Sequence, residues 1–203
     1  MKLSKLSQIV KRFTYLQIFT HGGVQWLSVG GAAYPMYCVP TITGAEQLLA
    51  MMDVPADKRE AYTVDFIEDP GSVFDDLDSD DTMLTDSLML CQWRGRLLLP
   101  LFAEDRRTYW INERYMHPIA QAEEISFALR RVGEGMYAVA VFDGMSICAV
   151  IGVHIVHPEV TDMLADALEG DRRAKNYGYR ISEDMVERLH GYQIPVTGIV
   201  NES

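Results

Sequence analysis

Asp75, Asp76, Asp78, Asp80 and Asp81 crowd the segment Asp75-Asp-Leu-Asp-Ser-Asp-Asp81, and the chemistry such a run suggests is cation binding. Carboxylates at alternate positions are what an oxygen-coordinated calcium ion takes. Counted from Asp76, positions 1, 3 and 5 of a twelve-residue calcium loop are Asp76, Asp78 and Asp80. The pattern then fails: position 6 needs Gly for the turn and is Asp81, and position 12 needs a bidentate Glu and is Ser87. What remains is a solvated, mobile acidic loop, because a block of like charge repels itself into extension.

His154 and His157, with Glu159 beside them, form the one close histidine pair. On a helix that spacing would join two imidazoles. Here it runs from a strand end into a helix start, and on a strand it sends the rings to opposite faces. No third ligand stands at a diagnostic interval. Gly144-Met-Ser146-Ile-Cys148 begins like a nucleophile elbow but lacks the closing Gly, and it follows a hairpin turn where no strand-to-helix corner presents the hydroxyl. Cys38, Cys91 and Cys148 are scattered among apolar neighbours and read as buried free thiols, without a disulfide or zinc framework. Gly22-Gly23 and Gly30-Gly31 open no phosphate-binding motif. The sequence therefore leans away from an enzyme, with no catalytic, cofactor or metal residue assigned and no cofactor expected. A metal-dependent enzyme using His154, His157 and the Asp75 to Asp81 carboxylates is the minor alternative.

A second group is basic. Arg94, Arg96, Arg106, Arg107 and Arg114 alternate with Trp93, Tyr109, Trp110 and Tyr115. Arginine among aromatics is the composition of a protein hot spot or of a phosphate-and-stacking surface. The simpler reading keeps the aromatics in the core, with the arginines offsetting the acidic stretch before them. The candidate interaction residues are thus Arg94, Arg96, Arg106, Arg107, Trp110 and Arg114, with Asp75, Asp76, Asp78, Asp80 and Asp81. The formal charge of −11 over 203 residues argues against general attraction to nucleic acid or anionic lipid. Most of that charge lies in residues 60–93, which lack Lys and Arg. The expected partner is a protein, DNA being reached only through a local basic face, and no membrane is expected. The longest apolar run is shorter than the roughly 20 residues a spanning helix needs. Residues 1–12 lack the apolar stretch of a secretory signal. The expected location is the cytoplasm.

These side chains need a scaffold, and its centre is legible. Residues 136–156 hold two apolar runs meeting at Asp143-Gly144, a pair suited to a type I′ turn. That turn would set Phe142 opposite Met145 and Ala140 opposite Ile147, with both faces apolar and therefore covered. Before it, Leu6, Ile9, Val10 and Phe13 mark a short helix. Residues 15–39 form a meander turned at the paired glycines, and Thr43-Gly-Ala-Glu46 is a capping box opening a second helix. A strand follows at 62–67. Residues 87–93 and 96–102 make another hairpin, whose Pro100 pushes the return strand toward a sheet edge. Strands are expected at 108–111 and 125–132, the latter beside the central hairpin. Asn112 caps a helical turn broken near Pro118. His157-Pro158 begins a helix ended by Gly170, and Ser182 caps another.

Gln25-Trp26-Leu-Ser-Val-Gly-Gly-Ala-Ala-Tyr34-Pro35, the helix at Thr43 and Tyr109-Trp-Ile-Asn-Glu-Arg-Tyr115 together resemble uncharacterised proteins carried on mobile elements of Gram-positive bacteria. That resemblance implies no particular activity. Residues 108–156, with Ile111-Asn-Glu-Arg-Tyr-Met116 between a strand and an apolar hairpin, resemble one domain of a DNA sliding clamp. This second resemblance implies α+β units joined in a ring around duplex DNA. The resulting expectation is an α+β fold, mostly antiparallel sheet built of hairpins with short helices packed on it. It forms a single domain over 1–203, or alternatively two lobes, 1–105 and 106–203. The expected function is non-catalytic protein binding, with a clamp-like accessory factor as the alternative.

Overall fold

The computed structural model describes residues 1–37, 39–86, 90–105, 107–154 and 156, and residues 1–156 make one compact unit. The expected helices after His157, and Cys38, Arg106 and Ser87, lie outside the described residues.

Helix α1 (Leu3–Val10) buries Leu6, Ile9 and Val10, the stripe its spacing predicts. Strands β1 (Tyr15–His21), β2 (Val24–Val29) and β3 (Ala32–Pro35) follow as an antiparallel meander. Its turns carry positive φ at Gly22, Gly23, Gly30 and Gly31, which a two-residue turn between twisted strands needs at both centres. Helix α2 (Ala45–Met51) comes next, but not with the expected cap. Its N-cap is Gly44, Thr43 donates its backbone N–H to Gln47 Oε1 at 3.0 Å, and Glu46 pairs with Arg59 at 2.8 Å. The reciprocal box does not form: only the back-reaching half survives, from Gln47 at the third helical position to the residue before the N-cap.

Strand β4 (Thr63–Phe66) runs parallel to β1, after which a 3-10 turn spans Ser72–Phe74. Then come β5 (Thr82–Asp86), β6 (Cys91–Trp93), β7 (Arg96–Phe102) and β8 (Thr108–Asn112). Asn112 caps the 3-10 segment Glu113–Ile119 by accepting from Arg114 N at 3.1 Å. Strands β9 (Ile125–Gly133), β10 (Met136–Asp143) and β11 (Ser146–Gly152) complete the described set. The strand order is β4-β1-β2-β3-β11-β10-β9-β5-β7-β6, with β8 on β7. The class is α+β with a mostly antiparallel sheet, β4 being the parallel exception.

Strand β5 turns a corner: Thr82 to Leu84 pair with β9, and Thr85 and Asp86 pair with β7. Strand β8 then returns to the chain just past β11, where His154 N donates to Trp110 O at 2.6 Å. The pairings β11-β10-β9-β5-β7-β8 therefore close on themselves, which hides backbone groups that an open edge would expose. Strand β7 sits inside this ring and not at an edge, contrary to the expectation from Pro100. Pro100 itself stands opposite Trp110 of β8.

The central hairpin is present but shifted. Asp143 pairs with Ser146 and Phe142 with Ile147, leaving Gly144 and Met145 as the turn centre. Gly144 alone has positive φ there, as a type II′ turn requires. Asp143 is drawn into the strand because its carboxylate accepts the backbone N–H groups of Glu123 and Glu124, both at 3.2 Å. The register then slips between Val141 and Phe142, so Val141 faces Ala149 and Cys148 is the extra residue of a bulge. Both faces are covered as expected. Val139, Val141, Ala149 and Ile151 join the cluster that packs α1 and α2. Ala138, Ala140, Phe142, Ile147 and Val150 join a second cluster with Phe19, Trp26 and Phe74.

Candidate functional site

The second cluster is roofed by the acidic segment, and Arg130 of β9 fastens it there. Alternation along β9 turns Arg130 toward the same side as Ala128, where its side chain is only 9% exposed. Its Nε and Nη2 fork onto the Asp81 carboxylate, Nε at 2.8 Å. Nη1 donates to the carbonyls of Val73 and Asp75, and Nη2 also to that of Asp76 at 3.0 Å. The guanidinium lies 5.2 Å from the Phe142 ring centre. A planar group with five fixed donors is suited to gathering several acceptors at once. Backbone carbonyls of 73–76 thus turn inward while the Asp75 and Asp76 side chains stay exposed. The Arg130 guanidinium holds the Asp81 carboxyl below its usual range.

Other bonds complete the attachment. Phe74 packs on Phe19 and Trp26 with ring centres 4.7 and 5.0 Å away. Asp76 accepts from Ile147 N at 2.8 Å, and Leu77 N donates to Met145 O at 3.1 Å. His21, at the end of β1, places Nδ1 at 2.9 Å from Asp69 and Nε2 at 2.8 Å from Asp75. The loop expected over Asp75 to Asp81 is solvated at Asp75, Asp76, Asp78 and Asp80, but self-repulsion does not leave it loose: Asp75, Asp76 and Asp81 are fastened to the sheet, chiefly by a buried cation that sequence reasoning missed. Asp78 and Asp80 remain exposed at its tip. Beside the roof lies a depression of about 150 Å³ lined by His21, Trp26, Tyr37, Phe74, Asp75 and Asp76 among others. Tyr37 at 47% exposure and nearby Met145 at 67% add apolar surface to its surroundings.

The arginine group divides. Trp110 is 2% exposed and belongs to the core, so its assignment as an interaction residue is corrected: pairing with β7 on one side and the bridge to His154 on the other enclose it. Arg107 pairs with Asp105 at 3.1 Å, and Arg94 lies 5.6 Å from the Trp93 ring centre. Burial, followed by the charges of Arg96 and Arg94, lowers the His154 value. Arg114 and Arg96 both act on Tyr115, where burial is nonetheless the larger influence and raises the phenol. Arg94 and Arg96 therefore lie near His154, and Arg96 and Arg114 near Tyr115, while Arg106 lies outside the described residues. His154 stands among these cations and not with the Asp75 to Asp81 carboxylates.

Among the described residues no group of three or more His, Cys, Asp or Glu is arranged to hold a metal ion. Cys91 and Cys148 are free and half-buried. Burial pushes the Cys148 thiol up to about 12, the opposite of what a nucleophile needs. No protein-family model, curated protein or solved structure matches this chain. No helix among the described residues is long and apolar enough to cross a membrane.

His21 and Arg130 are the organising residues that sequence reasoning missed. Arg130 had a signal. It shares one face of its strand with Ala128 and Val132, beside a hairpin buried on both faces, and a cation there needs a carboxylate partner. His21 sits beside a glycine turn with nothing in its neighbours to mark it.

Proposed function

We propose that the protein is a non-catalytic protein-binding factor, of the mobile-element kind its sequence resembles, offering residues 75–81 to a basic segment of a partner. The observation supporting this is the Arg130 clamp: carboxylates that would otherwise repel one another into a loose loop are held on a fixed frame. A surface ordered beforehand loses less entropy on binding. Titration of the folded chain with Lys/Arg-rich peptides, followed by amide shifts, tests it. Shifts should centre on residues 75–81 and Tyr37, with affinity falling as salt rises. The double change Asp78→Asn and Asp80→Asn should weaken binding by about tenfold, from two exposed ion pairs. Absence of binding, or an unaffected double variant, would overturn the reading.

The nearness of Arg94 and Arg96 to His154, and of Arg96 and Arg114 to Tyr115, supports a second reading, contact with DNA through a local basic face in the manner of a clamp. It predicts ring-forming oligomers by light scattering and duplex binding that falls steeply with salt. Arg96→Ala with Arg114→Ala should lower that binding at every duplex sequence tested. A monomer indifferent to duplex at low salt removes it.

A further inference from the structure

We propose that Asp69, His21 and Asp75 form a pH-operated latch, which fastens the acidic segment to the end of β1 while His21 is an imidazolium and releases it on deprotonation. This goes beyond the binding role above and does not rest on it. The geometry demands the charge. Both ring nitrogens face carboxylate oxygens, Nδ1 at 2.9 and 3.0 Å from the two oxygens of Asp69 and Nε2 at 2.8 Å from Asp75. A neutral imidazole has one N–H and one lone pair. Either tautomer would aim that lone pair at a carboxylate oxygen, so one of the two contacts must open when the second proton leaves.

Asp69 comes from the stretch after β4 and Asp75 from the end of the 3-10 turn, whose Phe74 ring lies 6.1 Å away. The adjoining depression adds Asp76 and Tyr37, and among the described residues no Lys or Arg lines it. With the side chain 14% exposed, little water replaces a lost partner. Burial disfavours the cation, but the hydrogen bonds and charges of Asp69 and Asp75 together outweigh it and raise His21 above the ordinary imidazole value. Arg130 holds the carbonyls of Val73, Asp75 and Asp76 independently. Release therefore loosens residues 69–72, which lead into that clamp, while the backbone of Val73 to Asp76 stays held.

The sign follows from the raised value. The latch contributes fully below the unfolded histidine value of about 6.5 and is lost as pH rises through the folded one. The test follows the His21 ring resonances and the amides of 69–75 in the free full-length chain from acid to mildly alkaline pH. His21 should titrate above about 6.5. The 69–75 amides should move with the same midpoint, and exchange at 69, 71 and 72, corrected for intrinsic rate, should speed up roughly tenfold across it. His21→Gln should abolish that shared midpoint while β10 and β11 amides stay protected. Asp69→Asn should lower the His21 midpoint, whereas Asp78→Asn, a charge change without contact, should leave it within a few tenths. If His21→Gln fails to fold, the Asp69→Asn and Asp78→Asn pair decides. A His21 midpoint at or below the ordinary value, or 69–75 amides indifferent to it, overturns the latch.

Discussion

Arg130 engages all three guanidinium nitrogens, so the residues it gathers depend on it unequally. Among the described residues Asp81 supplies its one carboxylate partner, and both side chains are 9% exposed. Removing one member of such a pair leaves the other charged, dry and alone, which costs about 3–5 kcal/mol. Asp81→Asn should lower unfolding free energy by that amount in urea. Changing Arg130 to Met in the same chain should cost less than the two single changes added together. The pH dependence has the opposite sign from that of His21. A lowered carboxyl value means stability present above about 3.9 and lost as pH falls through the folded value. Acid titration of stability should therefore show a fall in the parent chain that is shallower in Asp81→Asn. The carboxylates themselves were plain in the sequence. Their organiser was not, because the partner of Asp81 lies on β9, far along the chain, and charge density alone says repulsion.

At the scale of elements, the sequence shows strands clearly where periodicity and turn glycines agree, as in β1 to β3 and in β9 to β11. It misplaces what depends on a distant side chain. The central turn moved by one residue because Asp143 bonds the amides of Glu123 and Glu124, and no local preference reports that. Pro100 suggests an edge because it lacks a ladder N–H, and the sequence alone does not show that β8 pairs along one flank of β7. The aromatic residues between the arginines could be core or surface, and Trp110 proved to be core. Trp110→Ala should destabilise the chain by about 3–5 kcal/mol through the cavity it leaves. Arg96→Ala, at an exposed position on the same ring of strands, should stay within about 0.5 kcal/mol. Urea midpoints of the two variants would separate scaffold from surface.

For the molecule as a whole, the α+β class was legible from apolar alternation and paired glycines, whereas the strand order was not. Pattern says which face of a strand is buried, but not which strand lies next to it. Nothing in residues 32–35 announces that β3 joins β11, nor that β5 bends to serve two neighbours. The join between β3 and β11 is narrow, Ala32 with Ile151 and Ala33 with Val150, backed by Gly152 N to Gly31 O at 2.8 Å. Its two sides are made at very different moments of synthesis. The meander leaves the ribosome early with the outer flank of β3 unpaired, and that flank stays open until Ile151 emerges. A chain interrupted before β11 would carry a ready template for strand addition, and neighbouring nascent chains would be the first to find it.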